Sequence, residues 1–380
     1  MIRFCQAVLW EIRQMVTVHR RGALMMIFIP LLYTMLFGGL FSLQSVKNVP
    51  IGVVDLDGSA ASRELIQALD DADELSISIE AGSEEELLRD MQDGTIDAAV
   101  IIPKNYAAGL AAAQPVSVGA VLNNGNTVIG GTEARGIQAV IGTVSAEQAA
   151  KNRLAIGQSP EEAAAETSPV QLSVRSLYHT AGGYVDFFLA ILVLHAFQIG
   201  TVFVLGPMTV LELYRKRKTL AVHPYISAAS KALVYAILET AVMMACLYGS
   251  ALFFGMVIRA PFWLLAGFVL LFALAMTSFA TLAGSWVRTP GRAISYTLFY
   301  VMPSVLFSGA IWPRESMDGF SWFLTWIMPI GYTADAARDL LVRGDSPHLA
   351  FYSGCLAAYI CVCLTGAAIG IRRKGGKSIA

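Results

Sequence analysis

"GALMMIFIPLLYTMLFGGLFSLQSV", residues 22 to 46, runs for 25 positions without an Asp, Glu, Lys or Arg. Crossing about 30 Å of hydrocarbon takes roughly 20 helical residues, and a helix satisfies its own backbone polar groups there. The stretch is therefore expected to be a transmembrane helix. Runs equally free of these charges occur at Phe187–Leu211, Ala260–Val287, Ala293–Pro313 and Leu349–Ile371, and Ala232–Ile258 is interrupted only by Glu239. Six spans put both termini on one side. Composition agrees, since 56% of the 380 residues are hydrophobic and mean hydropathy is +0.59, more than a soluble domain needs to fill its core.

Orientation follows from Lys and Arg, which short loops retain on the cytoplasmic side. Arg3, Arg13, Arg20 and Arg21 precede the first span, and Arg215, Lys216, Arg217, Lys218 and Lys231 separate the second from the third. Arg288 and Arg292 lie between the fourth and fifth, and Arg372, Arg373, Lys374 and Lys377 follow the sixth. Outside the large insertion, the opposite side has only Arg259, Arg314, Arg338 and Arg343. Both termini are expected in the cytoplasm, with a basic tail at 372–380. Residues 1–21 read as an amphipathic interface helix. Ile2, Cys5, Val8, Leu9, Ile12, Met15 and Val16 recur at helical spacing, while Arg3, Glu11, Arg13 and Arg20 fall mostly elsewhere.

Residues 47–180 carry 19 acidic and 8 basic side chains, against 9 acidic and 19 basic in the remainder. This block is too polar for a bilayer, has the length of a domain, and falls on the outer side. Strand and helix signals alternate through it. "VPIGVVDLDG" reads as a strand, "SAASRELIQALDDA" as a helix capped by Ser59 or Ser62, "ELSISIE" as a strand, "SEEELLRDMQDG" as a helix and "IDAAVIIP" as a strand. A short helix near Tyr106, the strand "VSVGAVLNN", a long Ala-rich helix from about Thr132 to Gly157 and the strand "VQLSVRSLY" follow. The fold class is thus an α-helical integral membrane protein with six transmembrane helices and an α/β extracytoplasmic domain inserted after the first. Residues 181–371 supply the remaining five. Between the last two spans, 312–347 holds an apolar part, Gly319 to Ala334, too short to cross and interrupted by Pro329. It reads as an outer re-entrant or interfacial segment followed by an amphipathic turn with Asp335, Arg338 and Asp339.

Two motifs suggest chemistry and fall short of it. "VVDLDGS" at 53–59 is similar to the first motif of haloacid dehalogenase-type phosphatases, but Asp70 and Asp71 come too early for the later metal-binding pair that this chemistry needs. "GIRRKGGKS" at 370–378 has Ile371 where a phosphate-binding loop needs its first Gly, and no helix after it. No catalytic residue, metal ligand or nucleotide site is expected in this chain. Cys361 and Cys363 read as small buried hydrophobes. Glu239 sits well inside a span, where an ionisable group is a functional candidate or a protonated packing residue; His195, in the outer half of the second span, reads as a bonded packing residue. The basic tetrad lacks the aromatic platforms of a nucleic-acid site. It marks topology, and the helical features of its 207–232 loop suit a soluble partner.

Together these features resemble the permease subunits of type-2 ABC exporters, in the branch with a large extracytoplasmic domain after the first span. "VVDLDGSAASRELIQAL" is similar to the start of that family's outer domain. "FSGAIWPRESMDGFSWFLTWIMPIGYTADAARDLLVRG" is similar to its late signature, with Ser308, Gly309, Trp312, Pro313, Met317, Pro329, Tyr332, Arg338 and Gly344 at the matching positions. The resemblance implies a separate ATP-binding subunit that supplies ATP and magnesium, a second permease copy or paralogue, and contact with membrane lipid in a bacterial inner membrane. It further implies that the 207–232 loop is the ATPase-coupling element, involving Glu212, Arg215, Lys216, Arg217, Lys218, Thr219 and Pro224, with Arg13, Arg20 and Arg21 of the interface helix beside it. The family's acidic pair and Gly in this loop are replaced here by Tyr214, Lys216 and Lys218. An outer gate or re-entrant segment would use Ser308, Gly309, Trp312, Pro313, Pro329, Tyr332 and Arg338, and a periplasmic membrane-fusion adaptor is compatible with the acidic domain. The rival expectations are a proton-coupled transporter using Glu239 and His195, and a membrane scaffold or sensor with a protein-binding outer domain.

Overall fold

The computed structural model describes residues 2–41, 47–112, 114–123, 127–155, 185–214, 223–309, 311–312 and 314–376. They fall into two compact units, Met1–Gln44 with Ser176–Ala380, and Ser45–Arg175. The first unit begins with α1 (Ile2–Thr17) and α2 (Arg20–Leu40). In α1, Ile2, Leu9, Ile12 and Val16 stay exposed, as an interfacial helix requires for lipid, while Ala7 and Glu11 are buried. Glu11 lies off the apolar stripe, as its spacing predicts, but the face it occupies packs against protein rather than water.

The second unit contains β1 (Val49–Asp55), α3 (Ala60–Asp70), β2 (Leu75–Ala81), α4 (Glu84–Gln92), β3 (Ala98–Ile102), α5 (Tyr106–Ala111), β4 (Gly119–Leu122) and α6 (Thr127–Ala155). Its sheet runs β2-β1-β3-β4, with β1 parallel to β2 and β3, and β4 antiparallel to β3. The alternation of a strand sends Ile51 and Val53 of β1 to one face, against Leu65, Leu69, Tyr106 and Ile137. Val54 goes to the other, against Leu87, Ile96 and Ala99. The near-continuous apolar run of β1 reflects helices on both faces. The strand expected around "VSVGAVLNN" is shorter than its sequence signal, and "VQLSVRSLY" lies outside the described residues.

One buried group in this unit titrates within an accessible range. Glu133 of α6 is fully buried, neither carboxylate oxygen has a hydrogen-bond partner among the described residues, and burial, with the Asp97 charge, pushes its carboxyl up to about 7. The folded state holds this proton where the unfolded state releases it, so stability present below about pH 4.5 is lost as pH rises through 7. Hydrogen exchange on the full chain, corrected for intrinsic rates, should show protection around residues 96–102 falling by about 1–3 kcal/mol between pH 5 and 8. Glu133→Gln should flatten that profile.

The first unit resumes with a π-helical turn at Val185–Leu189, then α7 (Ala190–Tyr214), α8 (Pro224–Phe254), α9 (Phe262–Trp286) and α10 (Pro290–Val301). A 3-10 helix at Met302–Ser308 extends α10, and α11 (Gly319–Ile327), α12 (Pro329–Val342) and α13 (Leu349–Gly376) complete it. Five helices are long and apolar enough to cross a membrane: α2, α7, α8, α9 and α13. α7 is apolar on all sides and buried along most of its length, the pattern of a central helix, and it packs against α2, α9 and α10. Small residues permit the α7–α9 crossing. A Cβ on Gly284 would collide with the carbonyl oxygen of Gly206 and come within 2.7 Å of Thr209 Cβ.

Two expectations are corrected here. The run Ala293–Pro313 is not one α-helix: Pro303 has no N–H to donate and clashes with the carbonyl four residues back, and the chain tightens into the 3-10 helix from Met302. The two pieces still rise about 32 Å together. Pro329, expected to interrupt the outer segment, instead starts α12 at its first turn, where a missing N–H costs nothing. Asp335, Arg338 and Asp339 therefore lie on a largely buried helix rather than on a turn. Neither α11 nor α12, at about 14 and 21 Å, is long enough to cross.

Candidate functional site

The charged residues nearest the helix ends converge. Glu212 belongs to the last turn of α7, and Lys231 to the second turn of α8. Pro224 at the first turn of α8, with His223 Nδ1 accepting from Tyr225 N at 3.3 Å, sets where that helix begins. The expected 207–232 loop is thus shortened from both sides by helix. The tetrad Arg215, Lys216, Arg217, Lys218 and Thr219 lie outside the described residues. Glu212 is corrected from a loop position to a buried helical one.

Lys231 Nζ lies 2.5 Å from Glu212 Oε2 and 3.1 Å from Glu11 Oε2 of α1. Their side chains are only 5%, 10% and 2% exposed, so these charges hold one another in place of water. His19 Nε2, between α1 and α2, comes within 2.9 Å of Glu212 Oε1 without the alignment of a hydrogen bond. Burial pushes the Glu11 carboxyl up against the pull of Lys231. The cluster ties the interface helix to both helices that flank the basic loop. Arg13 of α1 remains exposed and outside it, and Arg20 and Arg21, expected on the interface helix, instead open α2, because α1 ends at Thr17; both are exposed as well.

A second polar group runs along the bundle core. His195, Gln198 and Thr201 of α7 are buried. Ser304 donates to Gln198 Oε1 at 3.1 Å, and Thr201 contacts Glu239 of α8. Glu239 does not pair with His195, which lies about 9 Å further along α7. Thr201 also donates to the Phe197 carbonyl at 2.7 Å. Its hydroxyl is thus shared between the Phe197 carbonyl and the Glu239 carboxyl.

At the other cluster of expected site residues, Ser308 Oγ donates to Val305 O at 2.6 Å, and Gly309 adopts φ +84°, a left-handed conformation that favours glycine. Trp312 Nε1 donates to Ser316 O at 3.0 Å, and Tyr332 stacks between Trp326 and Tyr352. Pro313 lies outside the described residues. Asp335 gathers Arg314 at 3.1 Å and Arg338 at 3.4 Å. The phosphatase-like motif is a turn and cap: Asp55 accepts from Asp57 N, Gly58 N and Ser62 Oγ. Although burial works to raise it, these bonds and Arg63 hold the Asp55 carboxyl below its usual range.

A sequence-family model described as ABC-2 family transporter protein matches residues 20–369. The chain belongs to the ABC-2 family. No curated protein matches it. It is a multi-pass membrane protein and the permease component of an ABC transporter, with ATPase activity in a separate subunit. An ATP-binding subunit is therefore a partner of this permease. Sequence reasoning missed Glu11, His19 and Lys231 as members of its buried cluster. The available signal was that Glu212 and Lys231, near the ends of apolar helices, need partners.

Proposed function

We propose that this permease works as an exporter, moving an amphipathic or hydrophobic compound by alternating access while a separate ATP-binding subunit supplies the energy. The observation that carries this reading is the Glu11–Lys231–Glu212 cluster at the root of the basic loop. A push on that loop from outside would reach α1, α7 and α8 at once, and rigid helices would pass it to the outer segment near Phe307 to Trp312. The α10 and 3-10 pair serves as the fifth of six spans, with both termini in the cytoplasm of a bacterial inner membrane. The unit Ser45–Arg175 lies on the periplasmic side, where its acidity suits a membrane-fusion adaptor. Two permeases, identical or paralogous, pair with two ATPases.

In the test, the full permease is co-purified with its ATP-binding subunit. Arg215→Glu with Lys216→Glu should weaken their association by about tenfold or more, since charged pairs at an interface respond strongly to reversal. Unchanged association would reduce the tetrad to a topology signal. Glu239→Gln separates this reading from a proton-coupled one. The amide can still accept from Thr201, so ATP-dependent transport should stay within about threefold of the parent. Loss of transport in that variant would favour proton coupling.

A further inference from the structure

We propose that the permease holds a membrane phospholipid with an anionic headgroup in a cleft between α9 and α10. The cleft measures about 390 Å³ and is lined by Phe279, Leu282, Trp286, Tyr296, Thr297 and Tyr300. Its walls follow from helical spacing. Phe279, Leu282 and Trp286 form one stripe of α9, and Tyr296 and Tyr300 one stripe of α10, with the Phe279 and Tyr300 rings 4.6 Å apart. Such a wall has the size and apolar character of a ligand site, which begins at about 300 Å³. It offers an acyl chain dispersion contacts and almost no polar atoms.

One end carries the charge. Arg373 of α13 lies over the Trp286 ring, 5.0 Å from its centre. Lys374 positions it by donating to Gly284 O at 3.3 Å and Val287 O at 2.5 Å, and Trp286 Nε1 donates to Gly366 O at 2.9 Å. Arg292 continues the Tyr300–Tyr296 stripe one turn further, and Arg288 sits in the connecting turn; both are exposed. Residues 260–313 contain no Asp or Glu, nor does α13. None of the three arginines forms an ion pair among the described residues. An apolar slot ending in cations that local acids do not neutralise matches a phosphate-bearing lipid, and the topology proposed above assigns this end to the cytoplasmic leaflet, where anionic lipids concentrate.

Purified full-length permease in detergent, equilibrated with equal amounts of phosphatidylglycerol and phosphatidylcholine of the same acyl chains, tests this by native mass spectrometry of retained lipid. Phosphatidylglycerol should be retained preferentially. Arg292→Ala and Arg373→Ala should each weaken it by about fivefold, as one basic residue near an anionic headgroup is worth. The double variant should lose the preference, the corresponding Lys pair should keep it, and Ala283→Trp, at a small residue that also lines the cleft, should fill it and reduce retention of both lipids. Equal retention by the parent, or an undiminished preference in a double variant with the parent's melting temperature, would overturn the proposal. Displacement of the lipid by soluble glycerol phosphate at equal concentration would also overturn it, because the headgroup alone would then explain binding.

Discussion

Lys231→Met is expected to cost the permease about 3–5 kcal/mol and to abolish its stimulation of the partner ATPase. The loss arises because Glu11 and Glu212, both desolvated, would face each other without the cation that now lies 3.1 and 2.5 Å from them. Thermal unfolding in detergent measures the first effect. Combining Lys231→Met with Glu11→Gln and Glu212→Gln should recover most of the stability, since removing a whole buried ionic group is far less costly than breaking it. ATPase stimulation should stay lost in that triple variant, because α1 is then no longer tied ionically to the roots of the loop. A cost below about 1 kcal/mol for Lys231→Met would mean that the cluster is effectively solvated.

The second large effect concerns helix packing. Gly284→Ala should destabilise the permease by about 1–3 kcal/mol, and Gly284→Leu by more, because the first carbon added already meets the Gly206 carbonyl and Thr209. Neither partner is the flexible end of a long side chain, so α9 must move away from α7. Gly267 on the same helix has open space around its Cβ position, and Gly267→Ala should be neutral or stabilising by up to about 1 kcal/mol. Opposite signs for two Gly→Ala changes in one helix, read as melting temperatures in detergent, would isolate the crossing from helix propensity.

The long apolar helices were legible in the sequence because the absence of charge over enough residues is a local property, as for α2, which takes up residues 22–40 of the charge-free run. Local punctuation was harder to read. Pro329 was expected to break a segment and starts a helix, and Pro303 redirects a run that hydropathy alone treats as uniform. The buried cluster was the least legible. Glu11 and Lys231 are separated by 220 positions, and each has an adequate local explanation, one as a polar-face residue and the other as a topology marker. Only the packing of α1 against α8 brings them together. Glu239 stood out because a carboxylate inside a span is rare, but its partner Thr201 carries no charge that a sequence reading would notice.

In the coupling proposed above, ATP hydrolysis elsewhere drives this permease through the ionic root of its basic loop. ATP hydrolysis by the partner subunit, measured in proteoliposomes with and without the permease, reads this coupling without a transport substrate. The rate should rise when the permease is present, the rise should survive Glu239→Gln, and it should vanish with Lys231→Met. A rate that never exceeds that of the ATP-binding subunit alone would contradict the account.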